Sequence, residues 1–300
     1  MRNNGIKFTT HNEIAGTDLI TPDYMKSFCR VAPLTTIDNH EVDIVEVNCP
    51  TDQNIMVAWA KDFRRKYISD TDLIDMTNLT GTENTYKYLI DRMYPDSGTK
   101  QGKIVRIGDF GEILAADFLS YLCGYTVPSL NVRYNSKQNR NTSTMGSDLF
   151  ALKFSDSTTR SEDVLCVCEI KCGFSTKSVN RLSDAIDDVN KDDINQVDKR
   201  ASISLAATKV LMSKMKGITD AQVDEISRFL NPLEDPYQQK YLAAAVIDDK
   251  YFRENKITEL DVSTSPHQDR LNLITFHGKE LEKLMNQLFS ELGALDAESK

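Results

Sequence analysis

Two almost unbroken runs of apolar residues constrain the fold of this chain more than any other feature. The first is residues 164–170, which read Val-Leu-Cys-Val-Cys-Glu-Ile, and the second is residues 241–247, which read Tyr-Leu-Ala-Ala-Ala-Val-Ile. A strand that is apolar on both faces is usually covered by helices on both faces, as in α/β proteins. Both runs are much shorter than the roughly 18 residues that cross a membrane. The sequence therefore predicts two central strands of a buried sheet and no membrane span.

The segments around these runs predict a mixed sheet flanked by helices. A helix is expected over residues 107–124, where apolar side chains recur on one face and Gly124 follows as a stop signal. Further strands are predicted over residues 127–134, 147–154, 163–171, 241–248 and 271–276. A helical zone over residues 178–215, broken near Asn190, and a last helix over residues 279–292 complete the pattern. Three successive strands joined through a helix to a fourth indicate an α/β fold.

A turn-rich segment at residues 94–102, with one proline and two glycines, divides the chain. A length of 300 residues also suits two domains. Before the division, a strand over residues 42–47 and helices over residues 55–67 and 82–94 predict a small α+β region. We therefore expect an accessory, docking region over residues 1–100 and a main domain with a C-terminal helical extension over residues 101–300.

The charge balance and the missing motifs limit the function classes. The chain has 36 Lys and Arg against 45 Asp and Glu, a net charge of −9, which argues against a protein that coats nucleic acid but allows an enzyme with a local basic groove. No phosphate-binding loop of the Gly-x₄-Gly-Lys-Ser/Thr type occurs, so ATP-driven steps would need another protein. The N-terminus lacks an apolar signal segment, and the six cysteines suit reduced thiols, which predicts a cytoplasmic protein.

Three acidic residues and one lysine fall where a catalytic site could form. Glu112 lies on the first predicted helix of the main domain, Asp148 opens a strand, and Glu169 and Lys171 end the next strand. Alternation places Glu169 and Lys171 on one face, and direct pairing would bring Asp148 within about 5 Å of Glu169 between Cβ atoms. Two carboxylates this close repel each other unless a cation or a proton lies between them, and hard oxygen ligands suit Mg²⁺. A neighbouring lysine can stabilise an attacking water or a developing phosphate charge.

Other interpretations of these residues remain open. A Glu-x-Lys pair on a strand usually lies on a solvated face, but a central strand requires partners for both charges. The carboxylates could also be occupied structurally in a nuclease-fold adaptor, or they could serve a metal-dependent nucleotide phosphohydrolase. We expect Cys166, Cys168 and Cys172 to pack in the core, because their spacing does not suit zinc. The aspartates between residues 184 and 198 are expected on a solvated helix face, with a partner-binding face or a guard over the cleft as the alternative.

The order of these motifs resembles the PD-(D/E)xK nuclease superfamily. More narrowly, Gly108–Glu112, Met145–Asp148 and Cys168–Lys171 resemble the HamA family, the small subunit of Hachiman phage-defence systems. The resemblance implies a restriction-endonuclease-like αβββαβ core and a Mg²⁺-dependent DNA nuclease in the bacterial cytoplasm. It also implies a heteromer with a HamB-like helicase.

The resemblance further assigns roles to the site residues. Asp148, Glu169 and the Ile170 carbonyl would bind Mg²⁺, with Mn²⁺ as a substitute. Glu112 would bind or steer the metal through water, and Lys171 would orient or activate the attacking water. The chain departs from the superfamily pattern at Ser147, where proline is common, and in the Gln-x-x-x-Tyr motif of RecB-like members. Its nearest counterpart is Gln196–Arg200, with arginine in the last place.

Basic residues near the predicted site are candidates for phosphate contacts. Three lie in the loop before the strand that carries Asp148, and two follow Lys171. They are Arg133, Lys137, Arg140, Lys177 and Arg181.

Overall fold

A computed structural model describes residues 21–128, 139–143, 146–155, 160–192, 200–214 and 219–295. The strands are β1 (Phe28–Arg30), β2 (Leu34–Thr35), β3 (Glu41–Val47), β4 (Leu149–Lys153), β5 (Val164–Gly173), β6 (Gln238–Asp248) and β7 (Leu271–Gly278). The helices are α1 (Gln53–Arg65), α2 (Asp70–Leu79), α3 (Thr85–Tyr88), α4 (Lys100–Asp117), α5 (Arg181–Val189), α6 (Arg200–Met212), α7 (Asp220–Ser227), α8 (Glu254–Thr258) and α9 (Leu281–Leu288). Short π-helical turns continue α3 and α4.

The strands form one mixed sheet in the order β1-β3-β7-β6-β5-β4, with β2 pairing beside β3. The pairs β3–β7, β7–β6 and β6–β5 are parallel, whereas β4 runs antiparallel to β5. The two apolar runs become β5 and β6 at the centre of this sheet, as expected for strands buried on both faces. The prediction of a mixed α/β fold with helices flanking a central sheet is confirmed.

Helices cover both faces of β5, and its side chains divide between two hydrophobic clusters. Cys166, Cys168 and Ile170 face the cluster that contains α4 and much of α1. Leu165 and Val167 face the cluster that contains α5 and α6. The prediction that the cysteines pack in the core is confirmed for Cys166 and Cys168, which are fully buried, and Cys172 packs against the first cluster. Along the described ranges, no helix is long and apolar enough to cross a membrane.

The region before residue 100 shares both the sheet and the core of the main domain. β3 pairs in parallel with β7, and Trp59 and Phe63 of α1 belong to the same hydrophobic cluster as α4. The predicted division at residues 94–102 falls where α4 begins at Lys100, seven residues before the predicted helix start. Thr99 caps this helix by accepting a hydrogen bond from the Gly102 amide at 3.0 Å. The division into two domains stays a prediction, and the continuous sheet shows how closely the two parts are joined.

Most predicted elements match the structure within a few residues. The break of the long helical zone near Asn190 is confirmed, because α5 ends at Val189 and α6 starts at Arg200. The predicted strand over residues 127–134 lies largely outside the described residues, although Thr126 just before it forms a β-bridge with Leu152. Pattern reasoning missed the short strands β1 and β2 and the helices α2, α7 and α8.

Candidate active site

The candidate site lies where β5 extends beyond its antiparallel neighbour β4. Leu149 is paired with Cys168, so Asp148 and Glu169 are next to each other, while β5 continues to Gly173. The Asp148 amide donates to Glu169 Oε1 at 3.3 Å, and the Ile170 amide donates to Asp148 Oδ2 at 2.8 Å. The strand register therefore brings the two carboxylates together, as the pairing argument predicts.

Lys171 follows Glu169 on the same face of β5. Its Nζ atom lies 3.7 Å from Glu169 Oε2 and 2.5 Å from Asp188 Oδ2 on α5. Burial alone would lower the pKa of Lys171, but Asp148, Asp188 and Glu169 outweigh burial and raise it. The ammonium group therefore keeps its proton at neutral pH, which makes Lys171 a hydrogen-bond donor and a positive charge rather than a base.

An arginine from α6 reaches the same carboxylate from the other side. Arg200 Nη2 lies 2.9 Å from Glu169 Oε1, and Arg200 Nε donates to Asp192 Oδ1 at 3.0 Å. The Asp192 side chain is fully buried, and its Oδ2 accepts from Ser147 Oγ at 3.1 Å. Asp192 thus links the residue that precedes Asp148 to the first residue of α6.

The prediction of a solvated face for the aspartates between residues 184 and 198 is wrong for Asp188 and Asp192. Asp188 is 25% exposed and pairs with Lys171, and the Asp192 side chain is buried. Alternation of polar and apolar residues along α5 does not reveal this, because it does not show that Asp188 pairs with Lys171 on β5 or that Ser147 donates to Asp192. Asp193 and Asp198 lie outside the described residues.

Glu169 carries the most strongly perturbed carboxyl group of the site. Its side chain is 1% exposed, and burial together with the Asp148 charge raises its pKa to about 9, against the opposing effects of Arg200 and Lys171. The Oε2 atom is buried without a hydrogen-bond partner among the described residues. A pKa of about 9 means that the group keeps a proton at neutral pH when no cation is bound, and a cation at this point would stabilise its ionised form.

The donor set fits a magnesium ion. Asp148, Glu169 and the Ile170 carbonyl offer hard oxygen ligands at one end of β5, and Mg²⁺ commonly takes one or two carboxylates and keeps several waters. In the described part of the chain, no group of three or more His, Cys, Asp or Glu side chains has an arrangement that could hold a metal. The protein would therefore supply two carboxylates and a backbone oxygen, and water would supply the remaining ligands.

Glu112 lies on α4, which packs over the opposite face of β5 from Glu169 and Lys171. The preceding residue, Gly111, touches the strand so closely that a Cβ atom there would lie 2.6 Å from Cys172 Cβ. Glu112 itself is half-buried. The structure therefore unites Asp148, Glu169 and Lys171, and it places Glu112 one residue from the contact between α4 and the end of β5. Its role in steering a metal stays a prediction.

The five basic candidates have different surroundings. Arg133 and Lys137 lie outside the described residues. The guanidinium of Arg140 donates to the carbonyls of Ile90 and Tyr94, so it anchors its loop to the π-helical turn that follows α3. Lys177 is exposed just after β5, and Arg181 Nη1 pairs with Asp184 at 2.8 Å. Of the described candidates, Lys177 is the one whose exposure best suits a phosphate contact.

Sequence reasoning missed Arg200, Asp192 and Asp188 as members of the site. One signal was present for Arg200, because it occupies the last place of Gln196–Arg200, the segment nearest to the Gln-x-x-x-Tyr motif. The structure brings that position to Glu169 at hydrogen-bonding distance. An arginine in the place of the motif tyrosine thus contacts the proposed metal ligand directly.

Comparison with known families agrees with the motif order. The sequence model of one family, HamA, matches residues 22–292, which includes all of the described strands and helices. No individually curated protein matches the chain. Members of this family are linked to Hachiman antiviral defence, and a match over nearly the whole length settles membership. The chain belongs to the HamA family.

Proposed function

We propose that this protein is a Mg²⁺-dependent DNA nuclease and the effector subunit of a Hachiman defence complex with a helicase. The observation that carries the proposal is the convergence of Asp148, Glu169 and Lys171 where β5 extends beyond β4, with Glu169 Oε2 buried and lacking a hydrogen-bond donor among the described residues. Paired carboxylates beside a lysine are suited to metal-assisted phosphodiester hydrolysis.

Two carboxylates and one backbone carbonyl of the chain would bind the metal ion. Asp148, Glu169 and the Ile170 carbonyl would hold the ion, and the amide of Ile170 fixes the Asp148 carboxylate through the bond to Oδ2. A bound Mg²⁺ supplies Lewis-acid stabilisation of charge on the phosphate and lowers the pKa of water. The buried setting strengthens every electrostatic contact to the reacting phosphate.

Lys171 would act as a donor during the reaction. Because its pKa is raised, mainly by Asp148 and by Asp188 acting against burial, the ammonium remains charged when DNA is present. It would hydrogen-bond the attacking water or a nonbridging phosphate oxygen, and so stabilise charge that develops in the transition state. The bond that forms joins the water oxygen to phosphorus, and the bond that breaks releases one sugar oxygen.

A helicase partner accounts for two properties of the chain. Its net charge of −9 is unfavourable for capturing DNA alone, and its sequence has no phosphate-binding loop for ATP. We propose that a HamB-like subunit supplies both functions and delivers DNA to β5. Co-expression followed by size-exclusion chromatography should give one joint peak, and two separate peaks would contradict the partnership.

The nuclease assignment is tested with DNA, Mg²⁺ and the co-expressed helicase. Wild type should cleave plasmid and linear DNA, EDTA should abolish cleavage, and Mn²⁺ should restore it. Glu169→Gln and Lys171→Gln should each lower the rate at least about a hundredfold, the typical cost of one essential electrostatic group. Glu225→Gln, on the exposed surface of α7, should cleave like wild type. Equal cleavage by all four proteins would refute the assignment.

A catalytically silent adaptor is the second candidate, and the ion pairs of the site favour it. Lys171 is bound by Asp188 at 2.5 Å and Glu169 by Arg200 at 2.9 Å, as in a site that has become structural. Titration calorimetry with Mg²⁺ and Mn²⁺ distinguishes the two functions. Binding of one ion per chain supports the nuclease, and absence of binding supports the adaptor. Nucleotides tested as substrates beside plasmid would identify a nucleotide phosphohydrolase.

A further inference from the structure

The contact between Arg200 and Glu169 places a guanidinium group beside the proposed metal ligand. Arg200 is 33% exposed, whereas the Glu169 side chain is 1% exposed, so the arginine reaches inward from the rim of the site. Its Nη2 atom lies 2.9 Å from Glu169 Oε1. A guanidinium and a divalent ion that share one carboxylate repel each other, because both are positive and the surroundings screen them poorly.

Arg200 has a second carboxylate that keeps it in place when Glu169 is taken by another cation. Asp192 accepts from Arg200 Nε at 3.0 Å and from Nη2 at 3.1 Å, which is a two-point contact. Asp192 is itself fixed, because Ser147 Oγ donates to its side chain and its carbonyl lies 2.7 Å from His267 Nε2. Two-point arginine–carboxylate contacts are the stronger kind of ion pair.

The charges of the site favour replacement of Arg200 by a divalent ion at Glu169. Four carboxylates face three cations in the described network, and these groups are Asp148, Glu169, Asp188 and Asp192 against Lys171, Lys191 and Arg200. With all four carboxylates ionised, these charges sum to −1, so a divalent ion at Asp148 and Glu169 would leave an excess of positive charge, which favours withdrawal of Arg200 from Glu169. The ion could therefore bind if Arg200 withdrew from Glu169 while it kept its contact with Asp192.

We propose that Arg200 is an exchangeable counter-cation that occupies Glu169 until a divalent ion replaces it, with Asp192 as the anchor that retains it. This inference rests on the proposed metal site and adds a positioning residue to it. Arg200 acts through Glu169, so its effect is on metal affinity. Removal of the Arg200 charge should tighten metal binding, although it also favours binding of a proton to Glu169. Loss of a neighbouring positive charge stabilises a bound divalent ion by twice the electrostatic energy by which it stabilises a bound proton.

The test measures Mn²⁺ binding to the full chain at pH 8, by electron paramagnetic resonance of the free ion. Arg200→Gln should bind Mn²⁺ about five- to tenfold more tightly than wild type, a factor of ten being ~1.4 kcal/mol. Its melting temperature in EDTA should fall, and the rise on adding Mn²⁺ should exceed that of wild type. Lys209→Gln removes the same charge from the same helix, nine residues from Arg200, and should leave the affinity within about twofold.

A second variant keeps the test decisive if Arg200→Gln does not fold. Arg200→Lys keeps the charge but replaces the planar group that contacts two carboxylates at once. Its affinity for Mn²⁺ should therefore lie between those of wild type and Arg200→Gln. Unchanged or weaker Mn²⁺ binding in the Arg200 variants would overturn the inference alone. Wild type without any Mn²⁺ binding would overturn the inference and the metal site together. Tighter binding without DNA cleavage by any protein would refute only the nuclease function.

Discussion

Replacing Glu169 by glutamine should stabilise the metal-free protein, and the gain should grow with pH. The pKa of Glu169 is about 9 in the folded chain against its ordinary 4.5, because burial and Asp148 oppose ionisation. A group whose pKa is raised on folding gives its full stability below the unfolded value, and this stability is lost as the pH rises through the folded value. At pH 7 the loss amounts to 2.303RT times the distance above 4.5, or about 3 kcal/mol.

Glutamine has no such titration and keeps the shape and the carbonyl that accepts from Arg200. We therefore expect the free energy of unfolding of Glu169→Gln to exceed that of wild type by up to about 3 kcal/mol at pH 7, with a small difference at pH 4.5. The attractions of Arg200 and Lys171 are already contained in the pKa of about 9, and at pH 7 glutamine replaces a carboxyl group that is protonated in the folded chain.

The assay is urea unfolding in EDTA at pH 5, 6, 7 and 8. Glu225→Gln is the matched control, because this glutamate is exposed on α7 and should change stability by less than about 0.5 kcal/mol at every pH. A difference between Glu169→Gln and wild type that stays constant or shrinks with pH would refute the reasoning. So would a variant that is less stable than wild type throughout.

Three further predictions concern residues around the site. Gly111→Ala should lower the free energy of unfolding by about 1–3 kcal/mol, because the added Cβ would collide with Cys172 Cβ. Gly108→Ala in the same helix has no atom within 4 Å of the added Cβ and should raise the free energy of unfolding by up to about 1 kcal/mol. Chemical unfolding of both variants checks the two values. Gly146→Ala should lower both stability and cleavage, because the residue has φ +111° and its Cβ would collide with Ser204 on α6; wild-type behaviour in unfolding and cleavage assays would contradict this. Lys171→Gln should lose cleavage while it binds Mn²⁺ no more weakly than wild type, and loss of both would make Lys171 part of the metal site rather than a donor to the phosphate.

The sheet could be predicted because a local pattern of apolar residues identifies its central strands. Residues 164–170 and 241–247 are apolar on both faces, and they become β5 and β6. The parallel pairing of β3 with β7 could not be predicted in the same way. The two strands are more than 200 residues apart, and the sequence of neither strand indicates which strand it pairs with. The N-terminal region therefore looked separate in sequence although it completes the sheet.

The candidate site shows the same division. Strand alternation and direct pairing were enough to place Asp148, Glu169 and Lys171 together. The roles of Asp192 and Arg200 in the site could not be predicted. Both residues lie in the polar segment 190–200, and a sequence of this kind is typical of an exposed surface. Their part in the site depends on how the turn after α5 is held by Ser265 and His267, which follow β6 by many residues.

The central claim is that Asp148 and Glu169 share one divalent ion at the end of β5. The most direct measurement is anomalous diffraction at the manganese edge from crystals of the wild-type chain soaked in MnCl₂. We expect one strong peak within bonding distance of a carboxylate oxygen of each residue and of the Ile170 carbonyl, with the Arg200 guanidinium moved away from Glu169. A map without a peak there, with Arg200 still bound to Glu169, would contradict the account.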